Sequence, residues 1–190
     1  MREKNVVRSA LLALSLLVMS QMAVAAEAPD FRNARWGMAM QQVAESEETA
    51  LTPLSEHPVL AGSVIVAGMK ADVYFEFVDS QLSEAFYVFL DTHVNENLYI
   101  TDFEKLRELL TLKYGPPGED EMIWRRDLRR DKQDQWGFAV VCGDLIYRAE
   151  WDTPRTRVVL SLSGDNFEAF HSLTYKSKVT PTAGPDLKGL

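Results

Sequence analysis

The sequence predicts an α+β fold in which antiparallel sheet is packed by short helices. Two sets of segments alternate apolar and polar residues with the period of a strand, short turns join them into hairpins, and one amphipathic helix stands between the two sets. Each element follows from the residues in order.

Residues 1–25 stand apart from the fold. Arg2, Lys4 and Arg8 against a single Glu3 precede an apolar run from Ala10 to Ala25, which closes on Ala23-Val24-Ala25. A charged start, an apolar middle and small residues at alternate positions are the marks of a secretory signal peptide, so cleavage is expected after Ala25 or Ala26. The run, at about 16 residues and diluted by Ser15, Ser20 and Gln21, is shorter than the roughly 20 that span a bilayer. Residues 26–178 read as a single α+β domain.

Glu27 to Asn33 reads as an extended lead-in. Trp36-Gly37-Met38 opens a short helix with Trp36, Met40 and Val43 at helical spacing, and Pro53 and Pro58 mark a loop. Three strands follow, Ser63–Met69, Ala71–Val78 and Leu82–Leu90, with turns at Lys70 and Asp79-Ser80-Gln81. Both faces of this meander carry aromatics, so cover on more than one side is expected. Thr101 and Glu104 form a capping box for the second helix, whose apolar stripe is Phe103, Leu106, Leu109 and Leu110, and Gly115-Pro116-Pro117 ends it. A mixed charged stretch, Trp124 to Asp134, leads to strands Asp144–Trp151, Arg155–Leu162 and Phe167–Tyr175, with turns at Asp152-Thr153-Pro154 and Ser163-Gly164-Asp165-Asn166. The tail, 179–190, is expected to be disordered. Segments 31–92 and 99–178 share the order helix, Gly-containing connection, three strands. Two tandem α-β-β-β units are one reading of that order, against which stands the extra segment Glu119 to Val141 in the second half.

Composition narrows the function classes. Without residues 1–25 the chain holds 17 Lys+Arg and 27 Asp+Glu, a net charge of −10, which disfavours nucleic acid as a partner. The single cysteine, Cys142, can form no intrachain disulfide and cannot receive a lipid at the cleavage point. No second apolar stretch approaches membrane-spanning length, so no transmembrane segment is expected after cleavage. No cofactor is implied, and the oligomeric state is not legible.

Candidate chemistry is sparse. There is no Gly-x-Ser-x-Gly elbow, and Cys142 follows an apolar run, as an inert buried thiol would. His57, His93 and His171 lack ligand-pair spacing, so no metal site is expected. His93 reads as part of a solvated loop, and His171 as a hydrogen-bonded core residue on the apolar face of its strand. Glu45 to Glu48 and Glu119-Asp120-Glu121 lack the spacing of a calcium loop and read as solvated surface. The run Arg125, Arg126, Asp127, Leu128, Arg129, Arg130, Asp131, Lys132 is the one basic concentration, flanked by Trp124 and Trp136. It suits a phosphate or an anionic lipid headgroup, or internal ion pairs with its own aspartates.

The stretch Phe31-Arg32-Asn33-Ala34-Arg35-Trp36-Gly37-Met38, with Val43 after it, resembles the opening of a group of uncharacterised exported bacterial proteins, and Lys113-Tyr114-Gly115-Pro116-Pro117 resembles the end of their second helix. The order of short helix and three-stranded meander is similar to that of the outer-membrane assembly lipoproteins of the SmpA/OmlA type, and to the tandem units of the β-lactamase inhibitor proteins. The chain departs from the SmpA/OmlA pattern in having no lipidation cysteine, which argues against a membrane tether. The resemblance implies a protein-binding scaffold and carries over no catalytic residue.

The function expected is therefore that of an exported, periplasmic or secreted, non-enzymatic protein that binds another envelope protein. The alternative is a small-ligand or lipid-binding module. The speculative binding residues are Trp36, Trp124, Arg125, Arg126, Arg129, Arg130 and Trp136, with Trp151 a further aromatic to inspect. For each tryptophan, core packing is the competing role.

Overall fold

The computed structural model describes residues 28–179. The export segment 1–25 and residues 180–190 of the expected tail lie outside the described residues. The elements are α1 (Met40–Ser46), β1 (Thr52–Pro53), β2 (Val59–Val66), β3 (Met69–Val78), β4 (Gln81–Phe89), α2 (Asn97–Tyr114), β5 (Glu119–Trp124), α3 (Trp136–Val141), β6 (Leu145–Asp152), β7 (Thr156–Asp165) and β8 (Glu168–Ser177), with a single 3-10 turn before α3. The fold is α+β: eight antiparallel strands form one sheet in the order β1-β2-β3-β4-β8-β7-β6-β5. The first meander meets the second where β4 pairs with β8, from Glu84 opposite Lys176 to Val88 opposite Ser172.

Local chemistry explains the hairpins. At Ala67-Gly68, Asp79-Ser80 and Asn166-Phe167 both turn residues have positive φ, the backbone that matches the twist of a two-residue antiparallel connection. The first turn therefore falls two residues before the expected Lys70, and β2 starts earlier, at Val59. The last falls beyond the expected Ser163–Asn166, because the alternation of Val158, Leu160 and Leu162 carries β7 on to Asp165.

Alternation also decides what is buried. Val73, Phe75 and Phe77 of β3, Ala85, Tyr87 and Phe89 of β4, Val158, Leu160 and Leu162 of β7 and Leu173 and Tyr175 of β8 form one core with Val43 of α1, Phe103, Leu106 and Leu110 of α2, and Ala139 and Val140 of α3. All three helices thus cover one face. The other face is half-exposed along β3, β4, β7 and β8, contrary to the expectation of cover on both sides. Its aromatics pack within the sheet surface, Tyr74 stacking on Phe86 of the neighbouring strand with centroids 4.9 Å apart.

The segment before α1 is not extended. Phe31 and Ala34 close a tight turn, which sends the Phe31 ring into the core against Tyr175, Tyr87 and Phe75 at 4.8, 5.1 and 5.4 Å. Asp30 fixes it from outside, accepting from Trp36 N–H and from two nitrogens of Arg155. Trp36 precedes α1, whose first free amide, at Ala39, donates to the Gln42 side chain. Within the acidic run read as solvated, Glu47 is buried and accepts from Arg32 at 2.6 Å.

The second helix starts four residues before the expected capping box, so Thr101 lies inside it and donates to the Asn97 carbonyl. Its stripe buries Phe103, Leu106 and Leu110, while Leu109 stays exposed. Gly115, at φ +86°, ends the helix as expected, and its carbonyl accepts from Trp151 Nε1 at 2.9 Å. Three elements lie where no regular structure was expected: β1, within the loop marked by Pro53, β5, on the other edge of the sheet, and α3.

The position of α3 depends on Gly137. A β-carbon there would lie 2.2 Å from the carbonyl carbon of Glu96, and the Gly137 amide donates to Asn97 Oδ1 at 2.7 Å. Gly137→Ala should therefore push α3 off the start of α2 and lower stability by about 1–3 kcal/mol. Urea unfolding followed by tryptophan fluorescence checks this, and an unchanged midpoint would contradict it.

Candidate functional site

The basic run Arg125 to Lys132 lies between β5 and α3, at the end of the sheet where β6 begins and the β7–β8 hairpin turns. One buried carboxylate organises it. Asp144 is 3% exposed; Arg126 pairs with its Oδ1 and Arg129 Nη1 donates to its Oδ2 at 2.9 Å. The Asp144 amide donates to the Ala139 carbonyl, and its own carbonyl accepts from Arg125 N–H at 2.7 Å. A single residue thus binds the loop to both α3 and β6. Arg130 pairs with Asp127. Three of the four arginines therefore have carboxylate partners, which favours internal pairing over a phosphate grip. The fourth, Arg125, is exposed and forms no ion pair among the described residues.

Aromatic groups gather around this loop. Trp124 and Trp136 meet edge to face, with centroids 6.0 Å apart and planes at 71°, and Trp136 Nε1 donates to the Arg130 carbonyl. Both indoles are half-buried. The Arg129 guanidinium lies 4.8 Å from the centroid of Phe138, and the Phe167 ring lies 6.0 Å from the same ring. Leu128, at 75% exposure, and Phe167, at 72%, complete the patch. Of the expected binding residues, Trp124, Arg125, Arg126, Arg129, Arg130 and Trp136 are thus brought together. Trp36 is not: it is buried, and its Nε1 donates to Thr156 Oγ1 at the other end of β7. Trp151 is buried as well.

Phe138, Asp144 and Phe167 belong to this patch and escaped the sequence reading. Continuing the β7 and β8 alternations until they met would have placed Phe167 in the turn. Asp144 gives no such signal, because its burial depends on α3 folding over it.

Two histidines form a second cluster. His93 Nε2 lies 2.6 Å from Asp102 Oδ2, its ring stands edge-on to Tyr99 at 4.7 Å, and its amide donates to the Tyr99 hydroxyl. The loop before α2 is thus fastened to the helix, not merely solvated as expected. His171 occupies the core as expected, between Phe89 and Phe103 at 4.7 and 6.1 Å, but its Nε2 has no hydrogen-bond partner. Burial holds it neutral, lowering its pKa from 6.5 to about 4; nearby Asp102 works against that shift and His93 with it. Cys142 is half-buried at the end of α3 instead of enclosed, with its carbonyl accepting from Arg126. Among the described residues no three His, Cys, Asp or Glu side chains gather as metal ligands, and no helix is long and apolar enough to cross a membrane.

Comparison of the chain with family models, with curated proteins and with solved structures finds no match. Its function has to be read from its own surface.

Two outcomes follow from this geometry. Between about pH 6.5 and pH 4 the unfolded chain takes up a proton that folded His171 refuses, so stability falls with falling pH, by up to about 1.4 kcal/mol per unit. His171→Leu should remove that component, seen as a shallower fall between pH 6 and pH 4.5 in parallel urea titrations; equal slopes would contradict it. Asp144→Ala should release Arg126 and Arg129 and cost about 2–4 kcal/mol, since it strips a buried carboxylate from its partners. Faster thermolysin cleavage within 125–135 than elsewhere in the chain checks this.

Proposed function

We propose that this protein is exported and works outside the cytoplasm as a non-enzymatic protein-binding module, with the patch formed by Phe167, Phe138, Leu128, Trp124 and Trp136 as its contact surface. The export half of the reading rests on the charged start, apolar run and Ala-rich close of residues 1–25.

Phe167 carries the binding half. It sits at φ +68° in the second position of a two-residue turn, where glycine is the least strained residue and a bulky side chain costs on the order of 1 kcal/mol. Burial does not offset that cost, because 72% of the residue is exposed. A large apolar side chain that weakens its own turn and stays in water is best explained by a contact made with another molecule. Around it Arg126 and Arg129 are held by Asp144 and Arg130 by Asp127, so the patch is largely prearranged, which lowers the ordering cost of binding.

Enclosure would favour the small-ligand or lipid reading. The cleft between Leu54, His57, Tyr74 and Phe86 is a groove open to solvent.

Phe167→Gly separates contact from folding. The variant should unfold at the same or a higher urea concentration than the parent, yet capture its partner from envelope extract at least about tenfold less efficiently in a quantitative pull-down. A variant that is equally stable and captures the same proteins equally well would remove Phe167, and with it the proposed surface.

A further inference from the structure

The two edges of the sheet are protected unequally. β1 is a two-residue strand containing Pro53, too short to template pairing. β5 is six residues long, outermost in the sheet, and exposed from Glu119 to Ile123. Because Arg125 directs its amide at the carbonyl of Asp144, the residue just before β6, the alternation of the ladder turns the backbone groups of Asp120, Met122 and Trp124 away from β6. Those groups form an open edge.

Acidic residues on an edge strand ordinarily repel a second strand. Here the acids occupy only one end: Glu119, Asp120 and Glu121 are followed by Met122, Ile123, Trp124 and Arg125. An antiparallel copy of the same strand reverses that order, so the edge is complementary to itself. With a two-fold axis at Met122, Asp120 lies opposite Trp124, Glu121 opposite Ile123, and Glu119 opposite Arg125. Glu119 and Arg125, like Glu121, form no ion pair among the described residues and are free to meet across the axis; Asp120 is held by Arg107 and Arg126 by Asp144. An axis at Glu121 would set that carboxylate against itself, and one at Ile123 would oppose Glu119 to Asp127.

Exposed apolar residues surround the same edge. Leu109 and Leu112 of α2 are 46% and 84% exposed, and Met122 and Ile123 of β5 are 42% and 39% exposed. On the helix side, Leu112, Pro116 and Pro117 line a groove closed by the Arg107–Asp120 pair. A strand added to β5 would run beside that groove and cover it.

We propose that two copies of this chain pair edge to edge through β5, antiparallel about Met122, and join their sheets into one of sixteen strands. The interface is isologous: the same strand on both sides, with two Glu119–Arg125 pairs related by the two-fold axis. This rests on the β5 edge, which adjoins the proposed binding surface at Trp124, and not on Phe167. The partner is a second copy and not an unrelated extended peptide, because the charge order and the apolar fringe complement themselves.

Sedimentation velocity over a concentration series, on the protein in the form in which cells accumulate it, tests the pairing. The parent should sediment as a reversible dimer. Met122→Pro removes the outward amide on the axis, at a position where an edge strand tolerates proline, and should leave a folded monomer by circular dichroism. Glu119→Arg and Arg125→Glu should each weaken the dimer at least about tenfold, because each creates two like-charge oppositions, and the double variant should restore it. A parent that remains monomeric up to about 0.5 mM, above the range of specific association, would overturn the proposal. So would a dimer indifferent to Met122→Pro, or a double variant no tighter than the single ones.

Discussion

The structure depends on the short ladder between β4 and β8. Residues 84–88 and 172–176 are where the two meanders join in the sheet, and without that ladder each would be a small sheet with half a core. The pairing sets Tyr87 beside Leu173 and brings Tyr175 within 6.5 Å of Tyr87. Phe31 can then lie against rings from both meanders at once. A junction of few backbone hydrogen bonds is thus reinforced by aromatic packing across it, the stronger of the two contributions where side chains of this size are buried.

One uncovered face follows from the same arrangement. The helices follow or precede strands whose buried side chains point the same way, so all three settle on one side and their apolar stripes merge into a single core. Eight strands in a row leave two edges. Proline and brevity close one at β1, while β5 offers the other with its charges graded along it. At the end of the sheet, Asp144 pins Arg126 and Arg129 and so fixes the loop as a support for exposed aromatic and aliphatic side chains. Binding surface and sheet edge adjoin at Trp124, and Asp144 supports both, through its carboxylate to Arg126 and Arg129 and through its carbonyl to the Arg125 amide.

Much of this fold was legible because strand alternation and turn chemistry are local. Val73-Phe75-Phe77 and Val158-Leu160-Leu162 announce both the strands and the face they bury, and Gly115-Pro116-Pro117 announces the end of α2. The errors occur where tertiary contacts override local signals. Thr101 and Glu104 have the spacing of a capping box, but Asn97 and Glu96 are held against Gly137, so the helix starts a turn earlier. Glu119-Asp120-Glu121 reads as solvated surface and is solvated, yet β6 makes it a strand. Glu47 reads as one more surface acid until Arg32 meets it. The loop arginines and their flanking tryptophans were recognisable by composition, whereas Asp144 and Phe167 acquire their roles from α3 and from a turn whose register only the paired strands define.

Amide hydrogen exchange resolved to individual strands tests the central claim most directly. If the β4–β8 ladder joins the halves into one cooperative unit, the amides of 84–88 and 172–176 that face each other should exchange only by global unfolding, at the same free energy as the slowest amides of β3 and β7. Exchange of the ladder at a markedly lower free energy, with the two meanders protected separately, would contradict the account.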